Sequence, residues 1–91
     1  MKQLPEHVKP YKKTPEFTQA TVPKGLLNDH QTKDGVWAQI VIVEGVLKYT
    51  ISEPDLETIM LDKETRGVIE PQVLHRIAPV GDVRFFIEFS R

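Results

Sequence analysis

Apolar and polar residues alternate with a period of two along most of this chain, and nowhere do apolar residues recur at the i, i+3, i+4, i+7 spacing of an amphipathic helix. The strongest stretch is Val36 to Glu44, where five of nine residues are β-branched aliphatics. Trp37, Gln39, Val41 and Val43 share one face and Ala38, Ile40, Ile42 and Glu44 the other. Both faces are largely apolar, which predicts a central strand covered on both sides. Glu44-Gly45 reads as a hairpin turn, after which Val46 to Ile51 returns with Leu47, Tyr49 and Ile51 on its core side. Leu56 to Leu61 is a further strand, and Pro79 to Asp82 a further turn. Val83 to Phe89 closes the pattern with Val83, Phe85, Ile87 and Phe89 on one face. Phe17 to Val22, between Pro15 and Pro23, predicts a brief edge strand. Strands separated by turn signals every eight to twelve residues or so predict an all-β fold, a small antiparallel jelly-roll barrel or sandwich.

The 91 residues suffice for one core. Pro5, Pro10 and Pro15, with Lys2, Lys9, Lys12 and Lys13 opposed by Glu6 alone in that stretch, make the beginning an extended basic segment. Residues 1–10 are expected to form an arm and residues 11–91 a single domain. Twelve Lys and Arg against 13 Asp and Glu leave a net charge of -1, which offers no general attraction to nucleic acid or to an anionic membrane. The absence of cysteine excludes disulfides and thiolate chemistry, so any metal must sit on His, Asp or Glu. The longest aliphatic run, Ile40 to Val43, is far short of the roughly 20 residues of a membrane span, and no signal-peptide core opens the chain. A cytoplasmic location is the expectation. The two apolar faces of Val36 to Glu44, in a domain too small to cover both, predict a homodimer.

The candidate chemistry gathers around Gly67 to Val80. Val73, His75 and Ile77 share a strand face, which aims a histidine where its neighbours seek burial. His75 is either a ligand or acid/base group in a pocket or a hydrogen-bonded core histidine. His30 lies in the polar loop Asn28 to Gly35, just ahead of the strand of Trp37. Trp37 is a candidate pocket wall or a core-filling indole. Glu70 is the nearest carboxylate to complete a site, and Glu88 would enter one only if the faces of the last strand were reversed. The chain carries no P-loop, no Gly-rich dinucleotide fingerprint and no Gly-x-Ser-x-Gly elbow.

Three runs, Asn28-Asp29-His30-x-Thr32-Lys33-x-Gly35-x-Trp37, Val43-Glu44-Gly45-Val46-Leu47-Lys48-Tyr49 and Glu70-Pro71-Gln72-x-x-His75-Arg76, together resemble the N-terminal domain family of the tellurite-resistance protein TehB and its small stand-alone relatives. The resemblance covers roughly Tyr11 to Phe89 and implies a cupin-like barrel. Longer TehB proteins join this domain to an S-adenosylmethionine-dependent methyltransferase, an activity not expected of a chain that ends at Arg91. Cupins hold a metal through a first motif with His-x-His followed by Glu, and a second motif that ends in His. With Gly45 closing the first motif, its glutamate falls on Ala38 and its histidines within Gln31 to Asp34, where only Asp34 is a ligand type; His30 lies just outside. Gly67, Pro71 and His75 follow the second motif in order, at shorter spacings. The resemblance therefore implies a pocket with a reduced ligand set: His30 and His75 for a divalent metal (Zn, Fe or Ni), or His30, Trp37 and His75 around a small, anionic ligand. Three classes remain open, a binding module linked to tellurite or similar stress, a metal-dependent enzyme without a complete catalytic motif, and a dimerisation module with no ligand.

Overall fold

The computed structural model describes residues 1–91. Seven elements follow in order: β1 (Pro10–Lys13), β2 (Phe17–Thr18), a single helical turn α1 (Lys24–Leu27), β3 (Trp37–Ile51), β4 (Glu57–Leu61), β5 (Gly67–Ile69) and β6 (His75–Ser90). The fold is all-β, a six-stranded antiparallel sheet in which β3 and β6 form the spine. They pair along their whole length, from Trp37 opposite Ser90 to Ile51 opposite His75. The far edge of β6 carries β1 and β2; the far edge of β3 carries β5 and β4. The path β1-β6-β3-β4 is open. No helix is long and apolar enough to cross a membrane.

The two turns expected at Glu44-Gly45 and Pro79 to Asp82 are instead bends inside continuous strands. Both halves of β3 pair with β6 and not with each other, so the chain has no reason to reverse at Gly45. One extra residue, Val43, is inserted between the pairs Ile42–Phe85 and Glu44–Arg84. A one-residue bulge in a period-two strand exchanges the faces, which is why even-numbered Ala38, Ile40 and Ile42 are buried before it and odd-numbered Leu47 and Tyr49 after it. In β6 the insertion is two residues, Gly81 and Asp82, between the pairs Val46–Val80 and Gly45–Val83. Two residues preserve parity, so Ile77, Val83, Phe85 and Ile87 stay on one face throughout. Glycine is needed at the crossing: Gly45 has φ +85°, and a Cβ built on it would collide with the Asp82 carbonyl oxygen and lie 2.9 Å from Val83 Cα.

The inward faces assemble one core from Ala38, Ile40, Ile42, Leu47, Tyr49, Leu61, Ile69, Ile77, Val83, Phe85 and Ile87. Phe17 seals its flank edge-on to Phe85, with ring centres 5.7 Å apart. The outer face of β3, with Trp37, Gln39, Val41 and Val43, is half-buried. Residues 1–9 run without regular structure but touch the sheet at several points. Lys9 and Arg91 exchange backbone hydrogen bonds of 3.1 Å, Val8 is buried, the Met1 amino group is 2.9 Å from the Glu57 carboxylate, and Lys2 is 2.9 Å from Glu70.

Candidate functional site

The site lies where the first residue of β6 meets the loop before β3. Gln72, with φ 61°, takes the left-handed conformation that turns the chain into β6, and its N–H donates to the Thr32 carbonyl. His30 and His75 then form an isolated two-residue bridge, each donating its backbone N–H to the other's carbonyl at 2.9 Å. This reciprocal pair fixes both Cα atoms and brings the imidazoles into tilted contact, with ring centres 4.1 Å apart and planes at 60°. The loop is anchored on its other side by Asp29, whose Oδ1 accepts from Ser52 Oγ at 2.8 Å and from Arg76 Nη1 at 3.1 Å. The hydrogen bond from Ser52, then that from Arg76, holds the Asp29 carboxyl below the ordinary carboxylate range.

Each imidazole points Nδ1 at a backbone carbonyl: His30 at Asn28 O and His75 at Val73 O, both at 2.9 Å. A carbonyl can only accept, so Nδ1 carries the proton in both rings and Nε2 carries the lone pair. His75 is 1% exposed, and its Nε2 is the one buried side-chain polar atom in the protein without a hydrogen-bond partner. The Tyr49 hydroxyl does not serve it. The Tyr49 ring stands edge-on at 5.9 Å, but its OH donates to the Val68 carbonyl at 2.9 Å. Burial lowers the pKa of His75, against the hydrogen bond to Val73, which raises it, so the buried ring favours its neutral form.

The histidines open onto a cavity of about 330 Å³. Leu26, Val36, Ile69, Ile87 and Phe89 supply its apolar walls; Tyr11, Lys12, Gln31, Thr32 and Lys33 complete it, and no carboxylate lines it. The structure thus brings together His30 and His75, while Trp37 is not among the lining residues and lies on the face of β3 opposite Ala38 and Ile40. Glu70 pairs with Lys2 away from the cavity, and Glu88 follows buried Ile87 on the outward side of β6. Sequence reasoning did not reach Tyr11 and Lys12, which enter through β1 pairing on β6, nor Lys33. The one signal for Lys12 was the basic bias of the opening residues, left unopposed by nearby acids. No cluster of three or more His, Cys, Asp or Glu is placed to hold a metal ion.

The TehB-like domain family matches residues 12–87. The probable S-adenosyl-L-methionine-dependent methyltransferase TehB of Haemophilus influenzae is 30% identical over 76 residues, which cover 79% of this chain and 27% of that protein. The chain therefore spans about a quarter of that relative's length. Escherichia coli K12 YeaR is 26% identical over 95 residues, covering 94% of this chain and 79% of that protein. Two crystal structures share the fold at 24% identity. One, of an Escherichia coli K12 protein, has a TM-score of 0.89 and covers all of this chain and 97% of that one. The other, of Haemophilus influenzae TehB, has a TM-score of 0.84 and covers 93% of this chain and 32% of that one.

Proposed function

Because the chain belongs to the TehB-like domain family, we propose that it is a cytoplasmic ligand-binding module in tellurite or related stress resistance, whose bent sheet forms a cupin-like mouth around His30 and His75. The observation that carries this reading is the orphaned, buried Nε2 of His75 beside the second imidazole. A buried polar atom without a partner costs about 1–3 kcal/mol, and a native fold keeps such a group where something else meets it. A divalent metal suits the donor set. Both Nδ1 protons are held by carbonyls, the arrangement that leaves Nε2 basic and orients metal-binding imidazoles elsewhere. The two imidazoles lie together, with ring centres 4.1 Å apart, and one ion would take a nitrogen from each at about 2.1 Å. Zinc, iron or nickel would be held by two protein nitrogens, with the remaining positions open to water or an anion.

The test is metal stoichiometry measured beside melting temperature for wild type, His30→Ala and His75→Ala. About one zinc per chain is expected in wild type, with uptake lost in either variant and falling as the pH drops below about 6.5, because a protonated imidazole cannot ligate. His30→Ala should keep its melting temperature, since His30 is only half-buried. A His75→Ala protein that melts earlier yet binds as much zinc as wild type would make His75 a packing residue alone.

We propose in addition that the chain forms a homodimer. Its support is the half-exposed outer face of β3 and the edge strand β4, which exposes Met60 and is preceded by Leu56 at 71% exposure. Light scattering at tens of micromolar should give about twice the 10.4 kDa chain mass; a monomer at that concentration would overturn it.

A further inference from the structure

We propose that the cavity beside His30 and His75 binds a small organic monoanion, a carboxylate on a compact hydrocarbon or aromatic body, with its charge at Lys12 and Lys33. The inference rests on the reading of this cavity as the binding site and is independent of the metal. Its first support is the local charge. The chain as a whole carries -1, yet the cavity lining holds two lysines and no acid. Neither Lys12 nor Lys33 has a carboxylate within 4 Å, whereas the neighbouring Lys13 lies over the Phe86 ring at 5.6 Å. The acids collect elsewhere, Glu53, Asp55, Glu57 and Glu70 around a separate depression with Met1 and Lys2. Two exposed cations at the rim of a largely apolar cavity attract an anion there.

The second support is the floor. Leu26, Ile69, Ile87 and Phe89 present hydrocarbon, and the lining residue His75, whose Nδ1 is spent on the Val73 carbonyl and whose buried Nε2 is an acceptor, adds no donor. An acceptor has no hydrogen bond to give an anionic oxygen, so a fully hydrated ion such as phosphate would lose its water without replacement in the interior. The arrangement suits an amphiphilic ligand, its oxygens at the lysines and its body inward, where each buried methylene contributes about 0.8 kcal/mol. The size admits such a body. A volume of about 330 Å³ corresponds to about eleven waters at about 30 Å³ each, ample room for a single ring with its carboxylate.

The experiment titrates chelator-treated full-length protein with benzoate, benzamide and inorganic phosphate while amide NMR shifts are recorded. Saturable benzoate binding is expected, with the largest shifts at Lys33, Ile69, Ile87 and Phe89. Benzamide, of the same shape without the charge, should bind at least about tenfold more weakly, and phosphate should not reach the floor residues. The double variant Lys12→Gln/Lys33→Gln should lose benzoate affinity by about tenfold or more while its melting temperature stays unchanged, since both lysines are exposed. Equal binding of benzoate and benzamide, phosphate shifts at the same floor amides, or no saturable benzoate binding would each overturn the proposal. Failure here with zinc uptake intact refutes the carboxylate alone; benzoate binding without zinc uptake refutes the metal alone.

Discussion

Gly45→Ala should lower the melting temperature by roughly 12–24 °C, more than alanine at any other left-handed glycine of the chain. Three glycines have positive φ, Gly35 at 76°, Gly45 at 85° and Gly81 at 72°, so alanine is strained at each, by about 1–2 kcal/mol. They differ in what surrounds them. A Cβ at Gly35 or Gly81 meets nothing within 4 Å, whereas at Gly45 it meets the Asp82 carbonyl oxygen, Val83 Cα and the Asp82 carbonyl carbon. All three are backbone atoms of β6 and cannot rotate away as a side chain would. The spine strands must separate at their bend, which adds an overpacking cost of about 1–3 kcal/mol. The sum, about 3 kcal/mol, is a large part of the stability of a small domain, and each kcal/mol moves the midpoint by about 4–8 °C at this size. Circular-dichroism melts of Gly35→Ala, Gly45→Ala and Gly81→Ala provide the comparison. If Gly45→Ala shifts no further than Gly81→Ala, the two strands do not cross as closely as described.

The same crossing shows where the sequence was legible. Period-two alternation revealed the class and the inward residues of the later strands, because burial of one sheet face writes itself into residue type: the faces read from Leu47 and Tyr49 and from Val83, Phe85 and Ile87 are the buried ones. Along Val36 to Glu44 both faces read as apolar, so the change of core side between Ile42 and Leu47 stayed hidden. A hairpin and a one-residue bulge both produce that change, and Glu44-Gly45 suits either. The difference lies in the partner, since both halves of β3 pair with β6, at separations of up to some fifty residues that no local pattern reports. The site was legible to the same extent. His75 could be aimed inward from its neighbours Val73 and Ile77, and His30 could be placed near the start of the long strand. Their reciprocal backbone bridge depends on the left-handed turn at Gln72, a residue type that gives no sign of it. Lys12 was read only as part of an extended basic segment because proline spacing argues against a central strand, but prolines are tolerated at an edge, and β1 is an edge strand. Trp37 drew attention by its chemistry, although its own alternation with buried Ala38 places it on the other face.

In chelator-treated protein, stability should fall as the pH is lowered from 7 to 5, and His75→Leu should abolish most of that fall. His75 is 1% exposed, and burial depresses its pKa below the ordinary value of 6.5; the charge of His30 acts in the same direction, while the Val73 carbonyl and the Asp29 charge oppose it. An unfolded chain therefore takes up a proton near pH 6.5 that the folded chain still refuses. Stability from a neutral buried imidazole is fully present above the unfolded pKa and is lost as the pH falls through 6.5 toward the depressed folded value. One proton of difference sets the steepest slope, about 1.4 kcal/mol per pH unit, so the loss by pH 5 is at most about 2 kcal/mol. Asp29 also has a lowered pKa and also loses its contribution in acid, but its window opens below the ordinary value of 3.8, and its exposure keeps that contribution small. The two groups are therefore separated on the pH axis. His75→Leu removes the titrating ring and the orphaned Nε2 together, at the cost of the hydrogen bond to the Val73 carbonyl, a bond of about 1 kcal/mol. The variant should consequently lie within about 1 kcal/mol of wild type at pH 7 and exceed it at pH 5. Urea unfolding of both proteins between pH 7 and 5 measures this. Parallel stability curves for the two proteins would mean that His75 takes up its proton in the folded state as readily as in the unfolded one.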